Sequence, residues 1–137
     1  MAKIFLSYKF TGEEYGPLRE LLNKIEKHLK EKGHEVFCSI DLQQFYKQNG
    51  MTSYQSQLDY CLDQQEGSDM IISILKCEEL SNGMVEELKK ADEFGQEKLL
   101  LIKKGLKFKT FRGSAKQIVE FNDESEILSC LDKLKIN

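Results

Sequence analysis

The segment from Met70 to Leu75 constrains the fold of this chain more than any other part of its sequence. Five of its six residues are apolar. It shows neither the alternation of a half-exposed strand nor the length of a helix. Strands that are buried on both faces, as they are in parallel sheets, have this composition. The segment therefore predicts a central strand of a parallel sheet.

Shorter apolar segments and helical patterns alternate on both sides of this run. Apolar residues at helical spacing predict helices that begin near Pro17, Ser53, Ser81 and Asp123. The predicted strands lie near residues 3–8, 35–40, 69–75, 98–103 and 117–121. This alternation predicts a single α/β domain over residues 1–137. Its three layers are a five-stranded, mainly parallel sheet and helices on both faces, as in Rossmann and flavodoxin-like folds.

Two connections in the predicted fold contain no clear element. Residues 41–52 and 104–116 show no periodicity and are predicted to be loops. In open parallel sheets, ligands bind beyond the carboxyl ends of the strands, where the strand order reverses. The loops expected at that edge are Ser7–Glu14, Ser39–Thr52 and Cys77–Gly83. Phe45 and Tyr46, on the second of these loops, either anchor it or line a pocket for a base.

The composition argues against several classes of partner. The formal net charge of −3 gives no reason to expect nucleic acid as a partner. No stretch approaches the roughly 20 apolar residues of a membrane span, and the N-terminus lacks the apolar core of a signal peptide. The four cysteines are widely spaced, without a Cys-x-x-Cys pair, so we expect them to be reduced in a cytoplasmic protein. Because the two histidines also lack ligand spacing, no metal site is expected.

The segment from Ser81 to Gly95 has the features of an anion-binding helix start. Ser81 and Gly83 lie where the loop after the third strand turns into a helix. Free backbone N–H groups and the helix dipole favour an anion there. Glu87 follows Ser81 by six residues, so we expect it to face the same pocket, which would suit a phosphorylated sugar. The alternative is structural: Ser81 is then a plain N-cap and Glu86 an ordinary first-turn acid.

Common nucleotide-binding and hydrolase motifs are absent from the sequence. It has no Gly-x-Gly-x-x-Gly after the first strand, no Gly-x-x-x-x-Gly-Lys-Ser/Thr and no Gly-x-Ser-x-Gly. These absences argue against a dinucleotide-binding fold, a phosphate-loop NTPase and a nucleophile-elbow hydrolase. What remains is a pocket centred on a carboxylate, which indicates glycosidic chemistry without a cofactor.

One longer pattern resembles a known family. It reads Ser81-x-Gly83-x-x-x-Glu87-Leu-x-x-Ala91-x-x-x-Gly95 and is followed by an apolar strand. This pattern resembles the signature of the nucleoside 2-deoxyribosyltransferase family, which includes the 2'-deoxynucleoside 5'-monophosphate N-hydrolases. Three further segments are similar to that family, so the resemblance covers nearly the whole chain: Lys3–Ser7, Gly33–Phe37 and Ile118–Phe121.

The resemblance implies a reaction on a small-molecule nucleoside or nucleotide. Glu87 would attack C1' of the sugar and expel the base, and water or a second base would resolve the glycosyl-enzyme. Ser81 and Gly83 would hold a 5'-phosphate. Asp59, in preference to Asp63, would orient the sugar or protonate the base. The first loop would contact the substrate through Ser7, Tyr8, Lys9 and Gly12. The family also implies a homodimer or a higher homo-oligomer, in which a neighbouring subunit completes the pocket.

A second family competes with this interpretation. The segment from Phe5 to Tyr8, with the same serine and glutamate, also resembles a TIR domain, which either cleaves NAD or serves as an interaction module. Gly83 stands where TIR domains have a tryptophan, which favours the deoxyribosyltransferase interpretation. The chain departs from that family too, with Lys89-Lys90 in place of Gly-Tyr and Phe5 where the hydrolases have a tyrosine. A non-catalytic signalling domain of flavodoxin-like shape is a third alternative.

Overall fold

Strands and helices alternate along residues 1–136, which the computed structural model describes. The strands are β1 (Lys3–Ser7), β2 (Glu35–Phe37), β3 (Met70–Leu75), β4 (Glu97–Lys103) and β5 (Gln117–Phe121). The helices are α1 (Tyr15–Glu31), α2 (Gln43–Gln48), α3 (Tyr54–Glu66), α4 (Asn82–Glu93), α5 (Lys109–Ser114) and α6 (Ile127–Lys133). A short 3-10 turn at Glu124–Glu126 precedes α6.

The five strands form one sheet in the order β2-β1-β3-β4-β5, and every pairing is parallel. All six residues of β3 are buried, and β3 pairs with β1 on one side and with β4 on the other. The prediction of a parallel α/β sheet with a buried central strand is therefore confirmed. The strand order reverses between β1 and β3, which is where such sheets bind ligands.

Helices cover both faces of the sheet. On one face, α1 and α6 pack on alternate strand residues such as Ile4 and Ile72. On the other face, α3 and α4 pack on the intervening residues, such as Phe5 and Ile71. Successive side chains of a strand point to opposite faces, so one apolar run supplies both cores. α1 ends before Gly33, whose φ of +92° is accessible to glycine at little cost.

The structure corrects the two segments predicted as loops. Residues 41–52 contain α2, which buries Tyr46, and residues 104–116 contain α5. Each helix has only six residues, which is too short for a helical period to emerge from the sequence. The bulky side chains stabilise these helices: Tyr46 is 5% exposed, and Phe111 packs against the core beneath α5.

The bounds of β2 and α1 also differ from the prediction. β2 ends at Phe37 instead of residue 40, because β1 pairs only with Glu35–Phe37 and the chain then turns away from the sheet edge. α1 begins at Tyr15, so Pro17 is its third residue. A proline is tolerated there because the N–H groups of the first helical turn have no partner within the helix.

No helix between residues 1 and 136 combines the length and apolar character that a membrane span requires. In the same range, no three His, Cys, Asp or Glu side chains converge in an arrangement that would hold a metal ion. Cys38, Cys61, Cys77 and Cys130 are all free.

Candidate functional site

An open cavity of about 440 Å³ lies at the carboxyl edge of the sheet, beside the reversal of strand order. The loops after β1 and β2, two helices and the N-terminus of α4 form its walls. All three loops that were expected at this edge contribute to it, through Tyr8, Ser39 and Ser81. The cavity is therefore where the topology predicts a ligand site.

Glu87 and Ser7 meet at this cavity. Ser7 is the last residue of β1 and is buried, while Glu87 lies on the sheet-facing side of α4. Oγ of Ser7 donates a hydrogen bond of 2.7 Å to Oε1 of Glu87. From α3, the fully buried Gln65 donates from Nε2 to the backbone carbonyl of Glu87 at 2.7 Å. Both the carboxylate and the backbone of Glu87 are thus held in place.

Burial dominates the ionisation of Glu87. Desolvation raises the pKa of its carboxyl from 4.5 to about 7, against the opposing effect of the hydrogen bond from Ser7. The positive end of the helix does little to keep this group ionised. Glu87 is the sixth residue of α4, which begins at Asn82, and it lies beyond the first turn, within which the dipole acts. A carboxyl with a pKa near neutrality is characteristic of functional sites.

Ser81 caps α4 at the border of the cavity. Its Oγ accepts a hydrogen bond from the N–H of Met84 at 3.3 Å, so Ser81 is an N-cap. Ser81 and Gly83 also line the cavity. A Cβ added at Gly83 would lie 3.9 Å from both Ser81 Oγ and Tyr54 Oη, which leaves room on the cavity side. Because Asn82 and Gly83 begin the helix, their N–H groups have no carbonyl partner within it.

Aromatic and amide side chains also line the cavity. Tyr8 and Ser39 share a hydrogen bond of 2.7 Å between their hydroxyls. Burial raises the pKa of Tyr8, so its phenol remains protonated. Tyr46 both anchors its loop and lines the cavity, and its hydroxyl lies 3.3 Å from Sγ of Cys61. The anchoring role of Tyr46 is therefore confirmed, and its role in binding a base stays a prediction.

Several lining residues were missed by the sequence analysis. Gln43 lies on α2, and Tyr54 and Gln57 lie on α3. The first belongs to a helix too short to be predicted. The other two share a helix face with Cys61, at spacings of seven and four residues, so the helical pattern placed them together. No local signal indicated that this face would meet a cavity.

Some predicted site residues lie outside the cavity. Asp59 is exposed on α3, where Oδ1 accepts a hydrogen bond of 2.7 Å from Nε2 of Gln55. Asp63 is also exposed. Each aspartate is two residues from Cys61, and this separation corresponds to about 200° around the helix axis. Both carboxylates therefore point away from the cavity when Cys61 points into it. Glu87 is the one acidic side chain that lines the cavity in the part of the chain that the structure describes.

Two residues of the first loop also fall outside this wall. The Nζ of Lys9 lies 3.5 Å from Sγ of Cys77, beside a smaller crevice. Gly12 is exposed with a φ of +84° and serves the turn before α1. The cavity itself is bordered by their neighbours Tyr8, Phe10 and Thr11.

The fold is shared with solved structures at low sequence identity. The CMP N-glycosidase BcmB from Clostridium botulinum has a TM-score of 0.70 at 20% identity, over 96% of this chain and 98% of that chain. The 2-deoxyribosyltransferase from Bacillus psychrosaccharolyticus has a TM-score of 0.66 at 20% identity, over 93% of this chain and 90% of that one. A response regulator receiver domain from Clostridium thermocellum has a TM-score of 0.55 at 15% identity, over 97% and 93% of the two chains.

These likenesses establish the fold that the sequence resemblance implied. None of the three structures is a TIR domain, and that alternative receives no support from them. No protein-family model matches the chain, and no curated protein matches its sequence.

Proposed function

We propose that this protein cleaves the N-glycosidic bond of a nucleoside or a nucleoside 5'-monophosphate, with Glu87 as the nucleophile. The observation that carries this proposal is the placement of one half-buried carboxylate, fixed by Ser7, in a cavity with aromatic and amide walls. The chemistry needs a carboxylate beside C1' and a surface that accepts a flat base.

The proposed reaction has two steps. An ionised oxygen of Glu87 attacks C1', and the bond from C1' to the base nitrogen breaks. That nitrogen takes the bonding electrons and a proton from a water molecule in the open cavity. A glycosyl ester on Glu87 results, which water hydrolyses or a second base displaces. The carboxylate also stabilises the positive charge that develops on the sugar ring. The exposed Asp59 takes no part in these steps, since it lies outside the cavity.

The remaining lining groups would orient the substrate. The start of α4, at Ser81 and Gly83, would bind the 5'-oxygen or 5'-phosphate through its free N–H groups. The base would lie against the aromatic wall that contains Tyr8 and Tyr46. The fold shared with a CMP N-glycosidase and a 2-deoxyribosyltransferase supports the proposed cleavage of an N-glycosidic bond. The spacing of residues from Ser81 to Gly95 supports it as well.

The direct test is to incubate the protein with ribo- and deoxynucleosides, their 5'-monophosphates and NAD, and to separate released base by chromatography. We expect release from at least one nucleoside or 5'-monophosphate. The Glu87→Gln variant should lose release by at least about 10³-fold while still binding substrate. The matched control is Glu86→Gln, one residue away but outside the cavity wall, which should retain activity. If none of the compounds releases base, the enzymatic proposal is wrong and the protein is a binding module.

The proposal includes a homo-oligomer. Phe10 is 51% exposed and Tyr54 is 63% exposed, and both lie at the cavity. Exposed aromatic side chains around a site suit a contact with a second copy of the chain. Size-exclusion chromatography with light scattering should give a mass of two or more chains, and a monomer at micromolar concentration would contradict this expectation.

A further inference from the structure

Gln57 is aimed at the cavity by the helix that carries it. The cavity is lined on α3 by Tyr54 and by three residues at offsets of three, four and seven from it: Gln57, Leu58 and Cys61. This spacing defines one face of a helix, so the side chain of Gln57 belongs to the cavity wall. Its neighbours on that face are aromatic or apolar, apart from the thiol of Cys61.

The carbonyl of Met51 fixes the orientation of the Gln57 amide. Nε2 of Gln57 donates a hydrogen bond of 3.1 Å to that carbonyl, which lies just before α3 and outside the cavity wall. A carbonyl can only accept, so the nitrogen end of the amide must point to Met51. Within residues 1–136, Oε1 of Gln57 accepts no hydrogen bond. The oxygen and the second N–H of the amide are therefore free for a ligand.

The fixed orientation of the Gln57 amide determines which edge of a base it can pair with. A freely rotating carboxamide reads either of two edges, because a 180° flip exchanges its donor and its acceptor. An edge with an amino group next to a ring nitrogen, as in cytosine and adenine, needs an oxygen facing the amino group. An edge with a keto group next to a ring N–H, as in uracil and hypoxanthine, needs the reverse. The reverse orientation would place Oε1 of Gln57 against the carbonyl oxygen of Met51.

We propose that Gln57, locked by the Met51 carbonyl, selects substrates whose base carries an exocyclic amino group over the corresponding keto bases. The proposal rests on the proposed function, since it assigns the base to this wall of the same cavity. A keto base at this position would leave two acceptor oxygens facing each other and Oε1 unpaired. A buried unpaired acceptor is costly, and it is costly only for the wrong base.

The test uses pairs of substrates that differ only by deamination. Base release is measured from cytidine against uridine and from adenosine against inosine, each as the ribo- and deoxynucleoside and as the 5'-monophosphate. We expect kcat/KM to favour the amino member of the better-used pair by at least about tenfold. Calorimetry with free cytosine and uracil gives a second readout, which does not need turnover, and it should show the same preference.

Variants separate recognition from a structural role. Gln57→Met removes both the acceptor and the hydrogen bond to Met51, so the preference should fall to about threefold or less. Structural damage alone would lower both members of a pair equally and leave their ratio unchanged. Gln64→Met is the matched control, with the same substitution at an exposed position of α3 outside the cavity, and it should keep the ratio.

The outcomes also separate this inference from the proposed function. Release of base with less than about threefold preference in the wild type, or a preference that Gln57→Met leaves intact, overturns the role of Gln57 and leaves the N-glycosidase proposal standing. If Gln57→Met does not fold, two measurements on the wild-type protein decide whether the inference stands. They are the preference for amino over keto substrates and the preference for free cytosine over free uracil. An absence of release from every substrate defeats the proposed function itself, and equal binding of cytosine and uracil then defeats this inference as well.

Discussion

Ser7 and Glu87 are separated by 80 positions in the chain, and their side chains meet at 2.7 Å. The contact joins the carboxyl end of β1 to the second turn of α4. It gives the carboxylate one charge-assisted hydrogen bond in a setting that otherwise disfavours its charge. The ionisation of Glu87 therefore depends on both the burial and the hydroxyl.

The first prediction is a pH dependence set by Glu87. Burial raises the pKa of this carboxyl to about 7, and a nucleophile must be ionised to attack. We therefore expect kcat/KM for base release to rise up to about tenfold per pH unit below pH 7 and to level off above it. A pH profile from 5 to 9 measures this directly. A rate that is flat from pH 5 to 9 would contradict the assigned role.

The second prediction concerns Ser7→Ala. Loss of the donated hydrogen bond removes the effect that lowers the pKa of Glu87, so this pKa should rise further. The acid limb of the profile should move to higher pH, with release reduced by about threefold to tenfold at pH 7 and largely restored at pH 9. The matched control is Ser73→Ala on the neighbouring strand, at the position paired with Ser7. Oγ of Ser73 is buried without a partner, so this variant should leave the profile unchanged.

The third prediction links Glu87 to stability. Its folded-state pKa of about 7 exceeds the ordinary value of 4.5, so the folded protein binds this proton more tightly than the unfolded chain does. The contribution is fully present below pH 4.5 and is lost as the pH rises through 7. Glu87→Gln does not titrate and should be more stable than the wild type at pH 8, by up to about 3 kcal/mol.

Thermal or urea unfolding at pH 5 and pH 8 checks this third prediction. The stability gained on Glu87→Gln should be larger at pH 8 than at pH 5. Glu86→Gln provides the comparison and should show no such growth with pH. Equal gains at the two pH values would mean that Glu87 keeps an ordinary pKa in the folded protein.

The fourth prediction concerns Gly83→Ala. The new Cβ would make only ordinary contacts, at 3.9 Å, with Ser81 Oγ and Tyr54 Oη. The fold should therefore tolerate it, with no loss of melting temperature. Since the methyl group projects beside the free N–H groups of α4, it should weaken substrate binding, by about tenfold in KM or Kd. The matched control is Gly113→Ala in α5, where the new Cβ would lie in open space. This variant should change neither the melting temperature nor substrate binding. Unaltered binding would place the substrate away from this helix start.

The sequence by itself determined the parallel sheet and the order of its main elements. The buried run from Met70 to Leu75 and the helical face of α1 follow from local hydrophobic periodicity. The N-cap at Ser81 follows from the hydrogen-bonding needs of the next three residues, which are equally local. Because the strands are parallel, the loops that follow β1, β2 and β3 all lie at the carboxyl edge of the sheet.

Only the tertiary structure decided which side chains share the cavity at that edge. Asp59 and Gln57 lie two positions apart on one helix, and the rotation of α3 against the sheet turns the amide in and the carboxylate out. The pKa of Glu87 and its contact with Ser7 depend on distances between segments far apart in the chain. Local patterns fix the direction of a side chain relative to its own helix or strand. Its neighbours and its loss of water arise only when helices and strands pack together.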